Sequence, residues 1–113
     1  MKYTYDEARA AGYLIAPPDH PSAKLKALCK RLGDDYHLAT IDNGNVVHRV
    51  IGDGWDVEIF PANKAQTLFN ITVYSRYGYR NMVNEYDVKP EAVAGMVEML
   101  LRLYVPEEVY PGP

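Results

Sequence analysis

The spacing of apolar residues predicts two short helices at the start of the chain. Thr4 can cap a first helix that ends at Gly12, and Ser22 can cap a second that ends at Gly33. The connector YLIAPPDHP between them holds three prolines and is typical of extended chain. Apolar residues share one face of the second helix (Leu25, Leu28, Cys29 and Leu32), and basic residues lie on the other (Lys24, Lys26, Lys30 and Arg31).

Between residues 35 and 88 the apolar pattern changes to alternation, which indicates antiparallel strands joined by tight turns. Asn43-Gly44 and Asp53-Gly54 are favoured pairs for two-residue hairpin turns. They predict these cross-strand pairs: Ile41 with Val46, Ala39 with His48, His37 with Val50, Val50 with Val57, and Arg49 with Glu58. The last pair joins opposite charges, which supports this register.

The next strand, TLFNITVYS, is placed by its apolar residues. Phe69 opposite Val57 and Ile71 opposite Trp55 keep the apolar faces together, whereas a one-residue slip would bury Asn70. A turn at Tyr77-Gly78 would then set Val73 against Met82 and Phe69 against Tyr86. The segment 79–88 can be a fifth strand or a helical turn, and both alternatives stay open.

A longer helix follows at Lys89-Pro90, because proline suits the first helical position, and Pro106 ends it. Residues 107–113 are expected to form a flexible tail. The predicted fold is α+β: one domain over residues 1–113, with an antiparallel four- or five-stranded meander sheet and two N-terminal helices and one C-terminal helix packed on one face.

Composition narrows the class of protein only slightly. Apolar residues make up 48% of the chain and the formal net charge is -3, which is ordinary for a globular domain and too mild for a general nucleic-acid binder. Cys29 is the single cysteine, so no intrachain disulfide can form. Without a signal-like or membrane-spanning apolar run, we expect a cytoplasmic location.

The segment YSRYGYRN, residues 74–81, is the candidate partner-binding surface. The predicted register puts four of its residues on the uncovered face of the sheet (Tyr74, Arg76, Tyr79 and Asn81) and two at the hairpin tip (Tyr77 and Arg80). Tyrosine and arginine are enriched at protein-binding hot spots. Tyrosines also pair across exposed strands without any partner, so a purely structural role remains an alternative.

His37 and His48 are the one pair that resembles a chemical site, as diagonal neighbours on the predicted core face. A metal site would need a third ligand such as Cys29 or His20, and no ligand motif accompanies them. Buried neutral histidines are the favoured interpretation. No nucleophile elbow or phosphate-binding glycine loop is present, so we expect no catalytic residues, no metal and no cofactor.

These observations predict a small non-catalytic protein-binding module, of the kind found among phage or immunity-type inhibitors and accessory factors. Its contact surface would be the open sheet face and the Tyr/Arg-rich hairpin. A single-stranded nucleic-acid-binding module using the same face is the alternative, although Asp56, Glu58 and Glu85 would repel phosphates. A homodimer through this face or an edge strand is a further option, and no membrane contact is expected.

Overall fold

The computed structural model describes residues 3–76 and 82–112, and they form a five-stranded antiparallel meander with strand order β1-β2-β3-β4-β5. The elements in chain order are α1 (Tyr5–Ala10), α2 (Ala23–Leu32), β1 (His37–Ile41), β2 (Gly44–Gly52), β3 (Trp55–Pro61), β4 (Phe69–Ser75), β5 (Met82–Val88) and α3 (Pro90–Tyr104). The predicted α+β meander with two helices before the sheet and one after it is confirmed. The segment left open between strand and helix contains strand β5.

The helix starts follow the predicted capping chemistry. The Thr4 hydroxyl accepts the Glu7 amide at 3.1 Å, and the Ser22 hydroxyl accepts the Leu25 amide at 3.1 Å. Helix α3 begins with Pro90 at its first position, where the missing N–H costs no helical hydrogen bond.

The first hairpin turns one residue earlier than predicted. Asp42 and Asn43 are its central residues, with φ of 51° and 67°, and Ile41 pairs with Gly44. Asn and Asp tolerate the left-handed conformation that this turn needs, so the glycine is not required in the turn and becomes the first residue of β2. The predicted pairs of Ala39 with His48 and Ile41 with Val46 are therefore wrong by two residues, which leaves every side chain on its predicted side relative to its partner strand.

The second hairpin turns at Asp53-Gly54 as predicted, but β2 contains a bulge between Val50 and Gly52. The bulge adds one residue to β2 and shifts the pairing by one. Arg49 therefore pairs with Val57, and Val50 pairs with Asp56. The predicted pairs of Arg49 with Glu58 and Val50 with Val57 are wrong, because a one-residue shift exchanges the two faces of the strand.

Strands β3 and β4 keep the predicted faces in a register shifted by four residues, with Val57 opposite Val73 and Ile59 opposite Ile71. In the next pair of strands Val73 lies opposite Val83, so the predicted pairing of Val73 with Met82 is wrong by one residue.

A second bulge lies in β5. Ile71 pairs with Glu85 and Phe69 pairs with Val88, so Tyr86 and Asp87 lie together opposite Asn70. The Asp87 amide donates to the Asn70 side-chain oxygen at 3.1 Å. Tyr86, which the predicted pairing with Phe69 would bury, is 64% exposed.

The sheet has one apolar face, which we call the helix face, and α2 and α3 pack on it. Its sheet residues are Val47, Val57, Ile59, Phe69, Ile71 and Val73, all at most 1% exposed. They contact Leu25 and Leu28 of α2 and the apolar stripe of α3 (Val93, Val97, Leu100 and Leu101) in one cluster. Phe69 and Ile71 point into this core, as their alternation predicted.

The other side, which we call the polar face, carries the alternate residues Val46, His48, Val50, Asp56, Glu58, Thr72, Tyr74 and Asn84. A second apolar cluster covers it over β1 and β2, with Ala8 of α1 and Tyr13 and Ile15 packed on Val46 and Val50. Helix α1 thus lies across the sheet from α2 and α3. The prediction of all three helices on one face assumed that Val46 and Val50 belong to the main core, which the β2 bulge prevents.

The outer edge of β1 and the end of the chain both contact other parts of the molecule. Ala16 and Thr40 exchange two backbone hydrogen bonds of 2.9 Å. In the segment predicted as a flexible tail, Val109 and Tyr110 pack against the main cluster.

Among the described residues, no helix combines the length and apolar character that crossing a bilayer requires.

Candidate functional site

The structure describes two of the six predicted site residues. Tyr74 is in β4 on the polar face and is half-buried, and Arg76 follows the end of β4 with its side chain 19% exposed. The other four, Tyr77, Tyr79, Arg80 and Asn81, lie outside the described residues. Tyr74 and Arg76 do come together, since the guanidinium carbon lies 6.0 Å from the centre of the Tyr74 ring.

A buried polar chain runs beside these two residues, and we define it as His37, His48, Asp56 and Arg76. The His37 Nε2 and His48 Nδ1 atoms are 2.9 Å apart. The His48 Nε2 atom is 2.7 Å from Asp56 Oδ2, which also lies 3.4 Å from a terminal nitrogen of Arg76. His48 and Asp56 are both fully buried. The chain crosses the polar face from β1 to the end of β4 beside Tyr13, which follows α1.

Local pairing explains how the chain assembles. His37 lies directly opposite His48 because of the Asp42-Asn43 turn. The β2 bulge then brings His48 to the face where Asp56 lies, and Asp56 pairs with Tyr74 across β3 and β4. Burying a carboxylate is costly unless it is paired and hydrogen-bonded, and here Asp56 gains both a cation and an imidazole.

Protonation within the chain follows from burial. Burial, together with the neighbouring His48, lowers the pKa of His37 from 6.5 to about 4, so His37 is neutral at physiological pH. If the His48 ring carries its proton on Nε2 and donates it to Asp56, its Nδ1 atom accepts the Nε2–H of His37. The two rings then form a directed hydrogen-bond chain that ends on the carboxylate.

Glu58 lies beside this chain, opposite His48 on the polar face. Burial, together with the neighbouring charge of Asp56, raises its pKa from 4.5 to about 7. Two carboxyl groups two residues apart on one strand therefore have different environments. Asp56 has Arg76 as a direct cationic partner, and no hydrogen bond or ion pair of Glu58 occurs among the described residues.

Arg76 is held between two aromatic rings. Its guanidinium carbon lies 5.0 Å from the centre of the Tyr13 ring and 6.0 Å from that of Tyr74, distances that suit cation–π contacts. The Tyr13 hydroxyl donates to the Trp55 carbonyl at 3.3 Å. Arg76 thus connects the segment after α1 to the end of β4, and it fixes the strand from which residues 77–81 continue.

Beyond Arg76 the polar face continues over β3, β4 and β5, and we define this open patch as Glu58, Asn70, Thr72, Tyr74, Asn84 and Tyr86. Asn84 and Tyr86 are exposed, Glu58, Asn70 and Tyr74 are half-buried, and Thr72 is 5% exposed. No helix of the described residues covers it. The Thr72 hydroxyl donates to the Asn84 side-chain oxygen at 2.7 Å, which orders the middle of the patch. Tyr86 follows Asn84 in the same alternation and is 64% exposed.

The side chains that could have joined the histidines in a metal site lie elsewhere. Cys29 packs against the main cluster on the helix face, across the sheet from His37 and His48. His20 is exposed and contacts Asp19 at 2.8 Å. Within residues 3–76 and 82–112, no group of three or more His, Cys, Asp or Glu residues is arranged to hold a metal ion.

Sequence reasoning missed Asp56 as a partner of His48. The signal available was Gly52, directly before the Asp53-Gly54 turn, because glycine near a strand end often marks a bulge. Its φ of 131° suits glycine. Pairing Arg49 with Glu58 by charge concealed this signal. Arg49 instead crosses to α3 and bonds Glu98 at 3.0 Å.

Comparison with protein-family models, with curated proteins and with solved structures gave no match to this chain.

Proposed function

We propose that this chain is a small non-catalytic protein-binding module whose contact surface is the open patch together with residues 77–81, which lie outside the described residues. The observation that carries the proposal is an uncovered half of a sheet face with two tyrosines, Tyr74 and Tyr86, on a rigid base. Tyrosines supply large contact area at low entropic cost. Its size and mild charge suit an inhibitor or accessory factor.

Preorganisation of Tyr74 supports this proposal. Its ring lies against Arg76, which is bound to the buried carboxylate of Asp56. A contact side chain that is already fixed loses little freedom when a partner binds. Arg76 itself is largely covered, so we assign it the role of holding Tyr74 in place.

The position of the polar chain supports a non-catalytic role. A general acid or base must come within hydrogen-bond distance of its substrate, and neither His48 nor Asp56 is exposed to solvent. Ala8 of α1 and the residues Tyr13 and Ile15, which follow α1, cover this part of the sheet. The hydrogen bonds of His48 are used internally, which suits a structural role.

The experiment that tests the proposal is affinity capture from the native host with the wild-type chain and with Asn84→Arg and Tyr86→Ala variants. Both side chains are exposed, so Tyr86→Ala should have little effect on folding. Asn84→Arg also removes the acceptor of the Thr72 hydroxyl, so its folding is checked by urea denaturation before capture. Loss of an exposed hot-spot tyrosine, or insertion of a bulky cation, should lower the affinity for the partner by about tenfold or more.

A matched control comes from the opposite side of the molecule. Leu103 of α3 is 66% exposed, so Leu103→Ala removes a similar exposed apolar surface without touching the open patch. The control should capture the partner as the wild-type chain does. Undiminished capture by both Asn84→Arg and Tyr86→Ala would contradict the proposed surface. Arg76→Ala is unsuitable here, because it would leave Asp56 without its cation.

Nucleic-acid binding is the alternative function, and the same variants discriminate it. Asp87 adds negative charge beside the open patch, and Glu58 adds negative charge to it above its pKa of about 7. Both charges weaken phosphate binding. If the captured partner is a single-stranded nucleic acid, binding should fall steeply with salt concentration and should strengthen in Asn84→Arg. Protein binding predicts the reverse effect for that variant.

A further inference from the structure

A cleft on the helix side of the molecule lies between α2, the loop before β4 and the first residue of α3. Its volume is about 300 Å³, and its wall includes Ala27 and Leu28 of α2, Phe69 of β4 and Pro90 of α3. Leu28 and Phe69 are only 3% and 1% exposed in total, so they close the floor of the cleft. The apolar side chains that a ligand can reach are those of the wall, where Ala27 is exposed and Pro90 is half-buried. The volume is at the lower end of the range for small-molecule sites.

Two cations border this floor. Lys24 and Arg31 both line the cleft, and seven residues of helix separate them by about 10 Å along the axis. The other two basic residues of α2, Lys26 and Lys30, are not part of its wall. The sequence pattern placed all four on one solvated face, whereas the structure divides them into two pairs.

The polar groups of the cleft are suited to an anion. The Lys24 ammonium donates to the Ala65 carbonyl at 2.7 Å, which holds it at the rim with two protons left to donate. The Ser22 hydroxyl donates to the side-chain oxygen of Gln66, which leaves the Gln66 amide nitrogen as a donor. Among the described residues that line the cleft, none has a carboxylate.

The start of α3 adds to this bias. Pro90 is the first residue of a 15-residue helix, and no side chain caps this end. The positive end of the helix dipole therefore lies at the wall of the cleft. Together with two cations and no lining acid, it makes the cleft attractive to negative charge.

We propose that this cleft binds a small monocarboxylate with an unbranched or aromatic apolar body. The body lies against Ala27 and Pro90 above the closed floor of the cleft. The carboxylate lies at the rim beside Arg31, which makes no ion pair among the described residues. A planar guanidinium matches a carboxylate in a bidentate contact. An inorganic anion would leave the apolar wall unused, and an amphipathic cation would meet the charge of Lys24 and Arg31.

Octanoate, used below its micelle threshold, is the probe for this proposal, with octylammonium as the matched cation of equal chain length. Titration followed by amide chemical shifts should give saturable changes at Ala27, Leu28 and Thr67 with octanoate. Octylammonium should bind about tenfold or more weakly, because it exchanges attraction for repulsion at the rim. Equal binding of the two probes, or no saturable change with octanoate, would overturn the proposal.

Two charge reversals on the same helix locate the carboxylate. Arg31→Glu and Lys30→Glu change the net charge equally and both sites are exposed, but only Arg31 lines the cleft. Arg31→Glu should lower the affinity for octanoate by about tenfold or more, because it removes the contact with the carboxylate. Lys30→Glu should lower this affinity by about twofold or less, through long-range charge alone. Equal effects of the two variants would show nonspecific attraction to a basic helix and would refute the site.

This inference is independent of the proposed partner surface. The cleft lies on the helix side, while the open patch lies on the other side of the sheet. Octanoate should therefore leave the amides of Asn84 and Tyr86 unshifted, and either proposal can fail while the other stands.

Discussion

The two faces of this sheet are stabilised by different physics. On the helix face, aliphatic and aromatic side chains such as Phe69 and Ile71 exclude water against α2 and α3. On the polar face, the ionisable side chains of His48 and Asp56 are buried to a comparable extent. Apolar contacts are nondirectional and tolerate small shifts, whereas a buried carboxylate requires a partner at a fixed distance. The helix face therefore depends on volume, and the polar face depends on register.

The largest effect should come from emptying the helix face. Phe69→Ala removes a ring that is 1% exposed and leaves a cavity between the sheet and the helices. We expect the free energy of unfolding to fall by about 3–5 kcal/mol, measured by urea denaturation. Leu103→Ala, at an exposed site on α3, should change it by less than about 0.5 kcal/mol. A loss below about 1 kcal/mol for Phe69→Ala would show that the ring is not a core residue.

On the polar face, Asp56→Ala should cost about 3 kcal/mol, because it leaves Arg76 and His48 buried without their shared acceptor. Urea denaturation of the double variant Asp56→Ala/Arg76→Met tests the cause. Removing the unpaired cation should recover part of the loss, since replacing both members of a buried pair costs less than removing one. If the two substitutions instead add, the contact between Asp56 and Arg76 does not stabilise the fold.

The smallest effect depends on pH. The folded-state pKa of Glu58, about 7, lies above its ordinary value of 4.5, so its contribution to stability is complete below pH 4.5 and is lost as pH rises through 7. Glu58→Gln should therefore be more stable than the wild-type chain at pH 8, by about 1–2 kcal/mol after allowance for its partial solvent exposure. The two should converge at pH 4.5, as measured by thermal and urea unfolding.

The titration of His37 changes stability with pH in the opposite direction. Its folded-state pKa of about 4 lies below the ordinary 6.5, so stability is complete above pH 6.5 and falls as pH drops through 4. In the wild-type chain the two slopes offset each other between pH 4.5 and 6.5. In Glu58→Gln, the loss of stability caused by protonation of His37 at low pH should therefore become measurable. A variant whose pH profile runs parallel to the wild-type profile would contradict the assigned environment of Glu58.

Local chemistry made part of the fold predictable from the sequence. The caps at Thr4 and Ser22, the start at Pro90 and the turn at Asp53-Gly54 each depend on neighbouring residues alone. The burial of Phe69 and its neighbours followed from alternation within one strand. These features need no knowledge of distant partners.

The candidate site could not be predicted because it depends on pairing between strands. One extra residue at Ile51 decides that His48 faces Asp56 instead of the helices, and alternation within β2 does not encode it. The Asp42-Asn43 turn also competes with Asn43-Gly44, and both have suitable residues. The cleft beside Lys24 and Arg31 required the positions of three elements that are distant in sequence.

The bulge in β5 has a consequence for behaviour at high concentration. β5 is an edge strand, and an exposed, regular edge can recruit strands from other molecules into fibrils. Here Tyr86 and Asp87 interrupt the regular backbone pattern, the Asp87 amide is taken by Asn70, and Glu85 and Asp87 add like charge that opposes stacking of identical chains. Deleting one residue of that bulge should increase aggregation of the chain at high concentration.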